Sequence, residues 1–560
     1  MIKHFVIAAL ACQAQPLRSL KTVPVPQVAG LDEYVRDREA LVVLGKAFFW
    51  DMQAGSDGRT ACASCHFHAG ADHRRQNQIQ DPNNPFPANL LLESPVFPLR
   101  KISDAANRNS IVLTDTEMRV GSAGLFRRVF KWITEGQAAE QGEEALDAPS
   151  FAIGELHVRR VTARNSPSVL NTVFYQRGFW DGRAQRVFNG LSPNGAAPGA
   201  LVVRDGRVER QPVSLDNSSL ASQATGPILD HTEMSYAGRT WPQLARKMYS
   251  LGPLALQQVA ADDSVLGNYA RIDGRGLRGD ISYLGLVKTA FQPKFWEYAG
   301  NVEDSGYTQA EQNFPLFWGL ALRAYQATLI SHDSPFDRFM DGDQGALTAQ
   351  QREGMQFFQQ QGRCTTCHGG AEFSAAVIGA NNGRNNRQFQ RTGVRPASDD
   401  QGSGNGNFKS IGLRNVELTG PYFHNGGQAT LEQVVDFYAR GGDFANNDIR
   451  PFNASGAQRA ALVAFMKSLT DDRVRYERAP FDHPELCVPD GHVEVRPGVL
   501  VPAQAPQFPR ASVERWAGIA ATGASGNKFP LQTFDELLSG AGNDGSRVNT
   551  MTAPCTVPLP

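Results

Sequence analysis

Two pentapeptides, Cys62-Ala63-Ser64-Cys65-His66 and Cys364-Thr365-Thr366-Cys367-His368, constrain this chain more than any other feature. Two thiols three positions apart match the two vinyl groups of one porphyrin, and a histidine directly after them is placed to ligate the iron on its proximal face. Four of the chain's 7 cysteines lie in these motifs. The sequence therefore predicts two covalently bound c-type haems, one on Cys62, Cys65 and His66 and one on Cys364, Cys367 and His368. A zinc site built from the two Cys-x-x-Cys pairs is the competing reading, but zinc gives no reason for a histidine after each pair.

At 560 residues the chain exceeds what one hydrophobic core usually supports, so two haem domains with additions are expected. With 55 basic and 56 acidic residues the formal net charge is -1, and no long basic run occurs, which argues against nucleic acid and against a charged membrane surface as partners. The 54 glycines and 33 prolines point to a loop-rich α protein rather than an idealised bundle. Haem attachment of this kind takes place outside the bacterial cytoplasm, so the chain is expected to be exported to the periplasm. A short apolar run, Phe5 to Ala11, follows Ile2-Lys3-His4, and Leu10-Ala11-Cys12 is similar to a lipoprotein cleavage site, which makes Cys12 a candidate for a lipid anchor; a misassigned start is the alternative. Cys487 and Cys555 are free to pair as a disulfide in an oxidising compartment.

Helical spacing of Leu41, Leu44 and Phe48 predicts a helix from Val35 to Phe49 that delivers the chain to the first haem motif. A helical region is expected from Trp241 to about Ala327. Thr348 and Gln351 stand at capping-box spacing before a helix carrying Met355 and Phe358 that ends short of Cys364. Leu462, Phe465, Met466 and Leu469 form the apolar stripe of a closing helix. Residues 380–407 read as an exposed loop. Beyond Arg478 the tail is rich in proline, with one short helix expected around Phe534, Leu537 and Leu538.

The run Leu44-Gly45-Lys46-Ala47-Phe48-Phe49-Trp50-Asp51 ahead of Cys62 resembles the opening of the bacterial dihaem cytochrome c peroxidases. Four further segments are similar to that family: Arg164 to Asn171, Phe179 to Ala184, Gln223 to Met234 and Phe408 to Gly426. The resemblance implies a mainly α fold of two cytochrome c-like haem domains with long loop insertions. The expected organisation is a leader at 1–30, an N-terminal peroxidatic domain at 31–335 with insertions near 74–155 and 185–215, an electron-transfer domain at 340–478 and an extension at 479–560. The first insertion is expected to cover surface or to dock a partner.

The resemblance also implies roles. In the family's distal loop a glutamine is followed ten residues later by a glutamate that serves as acid and base over peroxide, which fall here on Gln223 and Glu233, with Pro227 at the loop proline. Trp180 corresponds to the residue that relays electrons between haems. Asn165, Thr419 and Pro421 match positions that bind one calcium ion, a hard cation suited to oxygen ligands. The second haem of most such peroxidases takes a methionine fourteen residues beyond the histidine of the Tyr-Phe-His-x-Gly segment; here that position is Tyr438, as in the MauG-like branch. A phenolate stabilises oxidised iron, whereas Met466 lies within the closing helix's apolar stripe. The gating histidine of switchable members falls on Pro82, leaving His68 and His73 as nearby alternatives. Hydrogen peroxide is the implied oxidant, and the reductant is a small cytochrome, an organic molecule or a partner protein. The rivals are a dihaem oxygenase of the rubber-cleaving kind and a plain electron-transfer cytochrome.

Overall fold

The computed structural model describes residues 15–76, 78–81, 91–145, 147, 151–153, 156–195, 199–303, 305–380, 388–446, 448–492, 514–540 and 555–556. Cys12 and Pro82, and with them the lipid-anchor and switch-spacing readings, lie outside these residues. Helix exceeds strand, 29% to 15%, so the fold leans to α. The strands were not anticipated: every sheet among the described residues is a two-stranded antiparallel ribbon.

Each haem motif is preceded by a helix crossed by a second helix. Arg38–Trp50 begins at Asp37, whose carboxylate accepts from the amides of Glu39 and Ala40, and packs on Phe314–Gln326. Ala349–Gln359 begins with the expected capping box, Thr348 Oγ1 accepting from Gln351 N at 3.2 Å and Gln351 Oε1 from Thr348 N at 2.9 Å. It packs on Gly456–Lys467. Both crossings use a glycine: a Cβ on Gly45 would stand 2.0 Å from Ala321 O, and one on Gly354 would stand 1.9 Å from Ala461 O. The missing side chain lets each helix pair approach backbone to backbone beside its haem motif.

Two principal cores follow. The first joins Leu44, Phe48, Leu244, Phe314 and Trp318 with Leu486, Val488 and Ile519 from the chain's last part. The second joins Phe336, Phe358, Phe373, Leu462 and Phe465. The helical region expected over 241–327 is broken instead into Trp241–Tyr249, Tyr283–Ala290, Gln309–Gln312 and Phe314–Gln326. Between the first two, Pro253 and the glycines at 267, 274 and 276 interrupt any continuous helix.

The tail beyond Arg478 is a structural strap. Leu486–His492 pairs with Glu514–Ile519, Cys487 is bonded to Cys555, and the short helix Phe534–Ser539 forms where apolar spacing placed it. Asp482 reaches back to Lys46 at 3.1 Å, which also meets Asp263 at 2.7 Å, all three side chains being fully buried. Losing one partner of such a buried cluster costs about 3–5 kcal/mol, because it strands the other charge.

The two stretches expected as insertions are packed rather than loose. Residues 200–211 form a hairpin. In the first stretch, Arg128–Trp132 pairs with Gln141–Glu144, and other parts reach the second unit: Leu99 N donates to Gly427 O at 3.0 Å and Val120 N to Asn425 O at 2.9 Å. The segment 388–407, expected as an exposed loop, is largely half-buried, and its Phe389–Gln390 pairs with Phe408–Lys409.

Candidate active site

His66 and His368 are oriented alike. His66 Nδ1 lies 2.9 Å from Gly70 O and His368 Nδ1 lies 3.1 Å from Phe373 O. A carbonyl only accepts, so each Nδ1 carries the proton and each Nε2 presents its lone pair. Burial lowers the pKa of both rings, which favours the neutral form a metal requires. Beside the second motif is a cavity of about 740 Å³, lined by Cys364, Cys367, His368, Tyr438 and Met466 among others. That size lies within the ~300–1,000 Å³ typical of cofactor sites. A thioether-forming pair, an oriented imidazole and a largely apolar cavity together fit a haem.

Near the first motif, Glu233 sits on the loop that follows the turn Pro227–Leu229. Burial, reinforced by Asp230 and opposed by Arg183, pushes its carboxyl up to about 7. Its charge is felt at the thiols of both Cys62 and Cys65. A carboxyl poised near neutrality beside Cys62 and Cys65 is suited to accept and return a proton. Asp230 Oδ1 shapes the loop by accepting from the amides of Thr232 at 2.7 Å and Glu233 at 3.2 Å.

Gln223 closes the helix Ser219–Ala224, and its Oε1 accepts from Phe179 N at 3.0 Å. That bond fixes the turn leading into Trp180. The Trp180 indole is 8% exposed and donates from Nε1 to Asn165 O at 2.8 Å. It lines the cavity beside the second motif and meets His424 edge to face, ring centres 6.1 Å apart. His424 in turn stacks on Phe408 at 3.5 Å. Trp180 O accepts from Lys409 N at 2.8 Å, and Lys409 Nζ donates to Arg177 O at 3.1 Å and lies 4.3 Å from the Tyr175 ring centre. Burial pushes the Lys409 ammonium down to about 7. Lys409 and His424 were not singled out from the sequence, although both lie inside the Phe408–Gly426 segment that carries the family resemblance.

Tyr438 stands on Leu431–Ala439, and burial, with the charges of Cys367 and Cys364, raises its phenol further above its ordinary pKa. Met466, expected to serve packing alone, lines the same cavity while remaining buried in the second core. Asn165, Thr419 and Pro421 all border this cavity, and Asn165 N donates to His424 O at 2.8 Å. Asn165 Nδ2 is turned to Val120 O at 3.4 Å.

His68 and His73, the alternatives for gating the first iron, are stacked on each other at 3.8 Å between ring centres, with His73 against Phe534 of the tail. Both are buried, and none of their ring nitrogens has a hydrogen-bond partner among the described residues.

Residues 39–258 match the family model described as di-haem cytochrome c peroxidase. Over 174 residues the chain is 34% identical to cytochrome-c peroxidase IdrP2 of Denitromonas iodatirespirans, covering 26% of this chain and 47% of that protein. It is 26% identical over 327 residues to cytochrome c peroxidase Ccp of Escherichia coli strain K12, covering 54% and 47%. It is 32% identical over 162 residues to methylamine utilization protein MauG of Methylorubrum extorquens, covering 27% and 42%. The match thus spans less than half the length of each of these relatives, which include both peroxidase and MauG proteins. Residues 39–258, which hold the first Cys-x-x-Cys-His motif, Trp180 and the Glu233 loop, are thus similar to the di-haem cytochrome c peroxidase family.

Proposed function

We propose that this protein is a periplasmic dihaem peroxidase that reduces hydrogen peroxide beside Glu233 and draws the electrons, through Trp180, from a second haem site completed by Tyr438. When bound, each haem supplies a redox-active iron held on one face by His66 or His368. Peroxide reduction consumes two electrons and two protons and releases two waters. Glu233 takes the proton from the near peroxide oxygen and returns it to the departing one, a task matched to a carboxyl titrating near neutrality. Pro227 shapes the loop, and Gln223 holds the turn that aims Trp180. Asn165, Thr419 and Pro421 hold a calcium ion that ties the two haem units. The reductant is a small cytochrome, an organic molecule or a partner protein residue.

The observation that carries this reading is Glu233, a carboxyl pushed up to about 7 whose charge reaches both haem-binding thiols of the first motif. A plain electron-transfer cytochrome has no use for such a group. Met466 favours one second reading, in which it replaces Tyr438 as the sixth ligand, since both line the cavity.

The test is rapid mixing of the fully ferric protein with peroxide in the absence of reductant. Loss of high-spin ferric absorption is expected. Two six-coordinate low-spin haems indifferent to peroxide would return the protein to simple electron transfer.

A further inference from the structure

The loop that carries Glu233 is gripped from outside by the first insertion. Glu140, 3% exposed, comes from that insertion. Its Oε1 meets Arg239 Nη1 at 2.7 Å and Lys247 Nζ at 2.6 Å, and its Oε2 accepts from Ser56 Oγ at 2.6 Å. The side chains of all three charged residues are fully shielded from solvent.

Arg239 also reaches three backbone carbonyls. Nη2 donates to Ile228 O and to Met234 O, the latter at 3.1 Å, so one guanidinium bridges the two ends of the segment containing Glu233. Nη1 also donates to Ala54 O at 3.0 Å, and Lys247 Nζ to Gly55 O at 2.8 Å, in the stretch leading to Cys62. Ser56 completes the fastening: its amide donates to Met234 O at 3.0 Å, and its Oγ accepts from Tyr236 N at 2.8 Å. The insertion adds backbone contacts on the same loop, Leu125 N to Thr232 O at 2.9 Å and Phe130 N to Ala237 O at 2.9 Å.

Two buried cations pointing at carbonyls would repel each other without an anion between them. Glu140 is that anion. Burial works against its charge, yet Lys247 and Arg239 hold it down to about 2, so it is ionised throughout the neutral range.

We propose that Glu140 is a positioning residue for Glu233: by bridging Arg239 and Lys247 it fixes the 228–237 loop against the backbone ahead of Cys62 and keeps Glu233 half-buried. The inference rests on the proton-carrier role proposed for Glu233, and it gives the first insertion a task, bracing the Glu233 loop from outside. The groups that face Glu233 electrostatically are Asp230, Arg183, Cys62 and Cys65; Glu140 acts through the loop.

The experiment compares Glu140→Gln and Arg239→Lys with wild type in the haem-loaded, full-length protein. Arg239→Lys keeps the positive charge but cannot span two carbonyls, and it serves if Glu140→Gln folds poorly. Hydrogen exchange at the amides of Met234, Tyr236 and Ala237 is expected to rise about tenfold or more in both variants, while the helices 349–359 and 456–467 keep wild-type protection. The peroxide reaction is expected to slow roughly tenfold or more, since a ~1 Å misplacement costs up to ~100-fold, and its pH midpoint to move down toward the ordinary carboxylate range. If exchange rises evenly over the molecule, or the pH midpoint stays at the wild-type value in both variants, Glu140 is merely structural and the inference fails. Glu233→Gln separates the two layers. Full activity in that variant overturns the proton-carrier reading itself, whereas a slow Glu233→Gln beside a normal Glu140→Gln overturns only the positioning role.

Discussion

In the proposed reading the pH dependence of peroxide activation is set chiefly by the Glu233 carboxyl. If Glu233 must be ionised to take the peroxide proton, the rate tracks its carboxylate fraction. With a pKa of about 7, that fraction is roughly 90% at pH 8 and roughly 1% at pH 5, so the rate should fall about 90-fold across that interval. A carboxyl at the ordinary value of 4.5 would be about three-quarters ionised at pH 5, and the same interval would change the rate by only ~1.3-fold. The sign is fixed: burial disfavours the charged form, so activity is present above the raised pKa and is lost as pH falls through it. Glu233→Gln, of nearly equal shape, should slow the reaction by about two or more orders of magnitude and flatten the remaining profile. The assay is stopped-flow mixing of ferric protein with peroxide from pH 5 to 8, with haem content checked at each pH. A flat wild-type profile, or a Glu233→Gln variant as fast as wild type, refutes the reasoning.

Four other outcomes are expected. The mature protein should retain two haems through denaturing electrophoresis, and a mass corresponding to one haem would remove the second site. Tyr438→Met should raise the second haem's potential on the order of hundreds of millivolts in a redox titration; an unchanged potential, together with a fall on Met466→Leu, would assign the ligand to Met466. Lys46→Met should lower unfolding stability by about 3–5 kcal/mol in denaturant titration, because Asp263 and Asp482 are then left buried without a cation. Gly354→Ala should cost more than the ordinary small penalty or gain of a helical Gly→Ala change and should weaken haem retention in the second unit alone, since its Cβ would stand 1.9 Å from Ala461 O; full stability would mean that the helix crossing yields.

What the sequence made legible was chemistry fixed by local spacing. Both Cys-x-x-Cys-His motifs, the Thr348 capping box and the stripe Leu462, Phe465 and Met466 each announce themselves within a few residues. The structure adds the long-range part. The ribbons of the first insertion have strands of two to five residues, too short for a period of two to stand out from loop composition. The strand Leu486–His492 finds its partner only at Glu514–Ile519, across a stretch whose prolines point to irregular chain. The task of Glu140 was illegible for the same reason. A lone glutamate in a polar insertion is ordinarily solvated, and only the fold brings Arg239, Lys247 and Ser56 around it. His68 and His73, which as sequence invite a ligand role, are stacked on each other with His73 against Phe534, a contact that residue spacing does not announce.

The arrangement around Trp180 explains why so much of the resemblance falls in segments far apart in sequence. The indole Nε1 is held by Asn165 O, the preceding amide by Gln223, the following carbonyl by Lys409, and its edge meets His424. Each of these four contacts comes from a different one of the recognised segments or from a different position within the last of them. In the proposed reading Trp180 passes electrons between two haem units, a role that calls for a fixed distance to both and so for rigidity supplied from both sides. Asn165 and Gln223 lie in the expected N-terminal haem domain and Lys409 and His424 in the expected C-terminal one, so on that division a motion of one against the other would strain the contacts of the tryptophan turn. The same logic places calcium between the units in the proposed reading: Asn165 already donates to His424 O, and an ion bound by Asn165, Thr419 and Pro421 would clamp the junction on which Trp180 rests. Chelation should then loosen electron sharing between the haems while leaving the first encounter with peroxide intact, an outcome visible as a slower second phase in rapid mixing. Equal phases with and without chelator would separate the tryptophan relay from any metal.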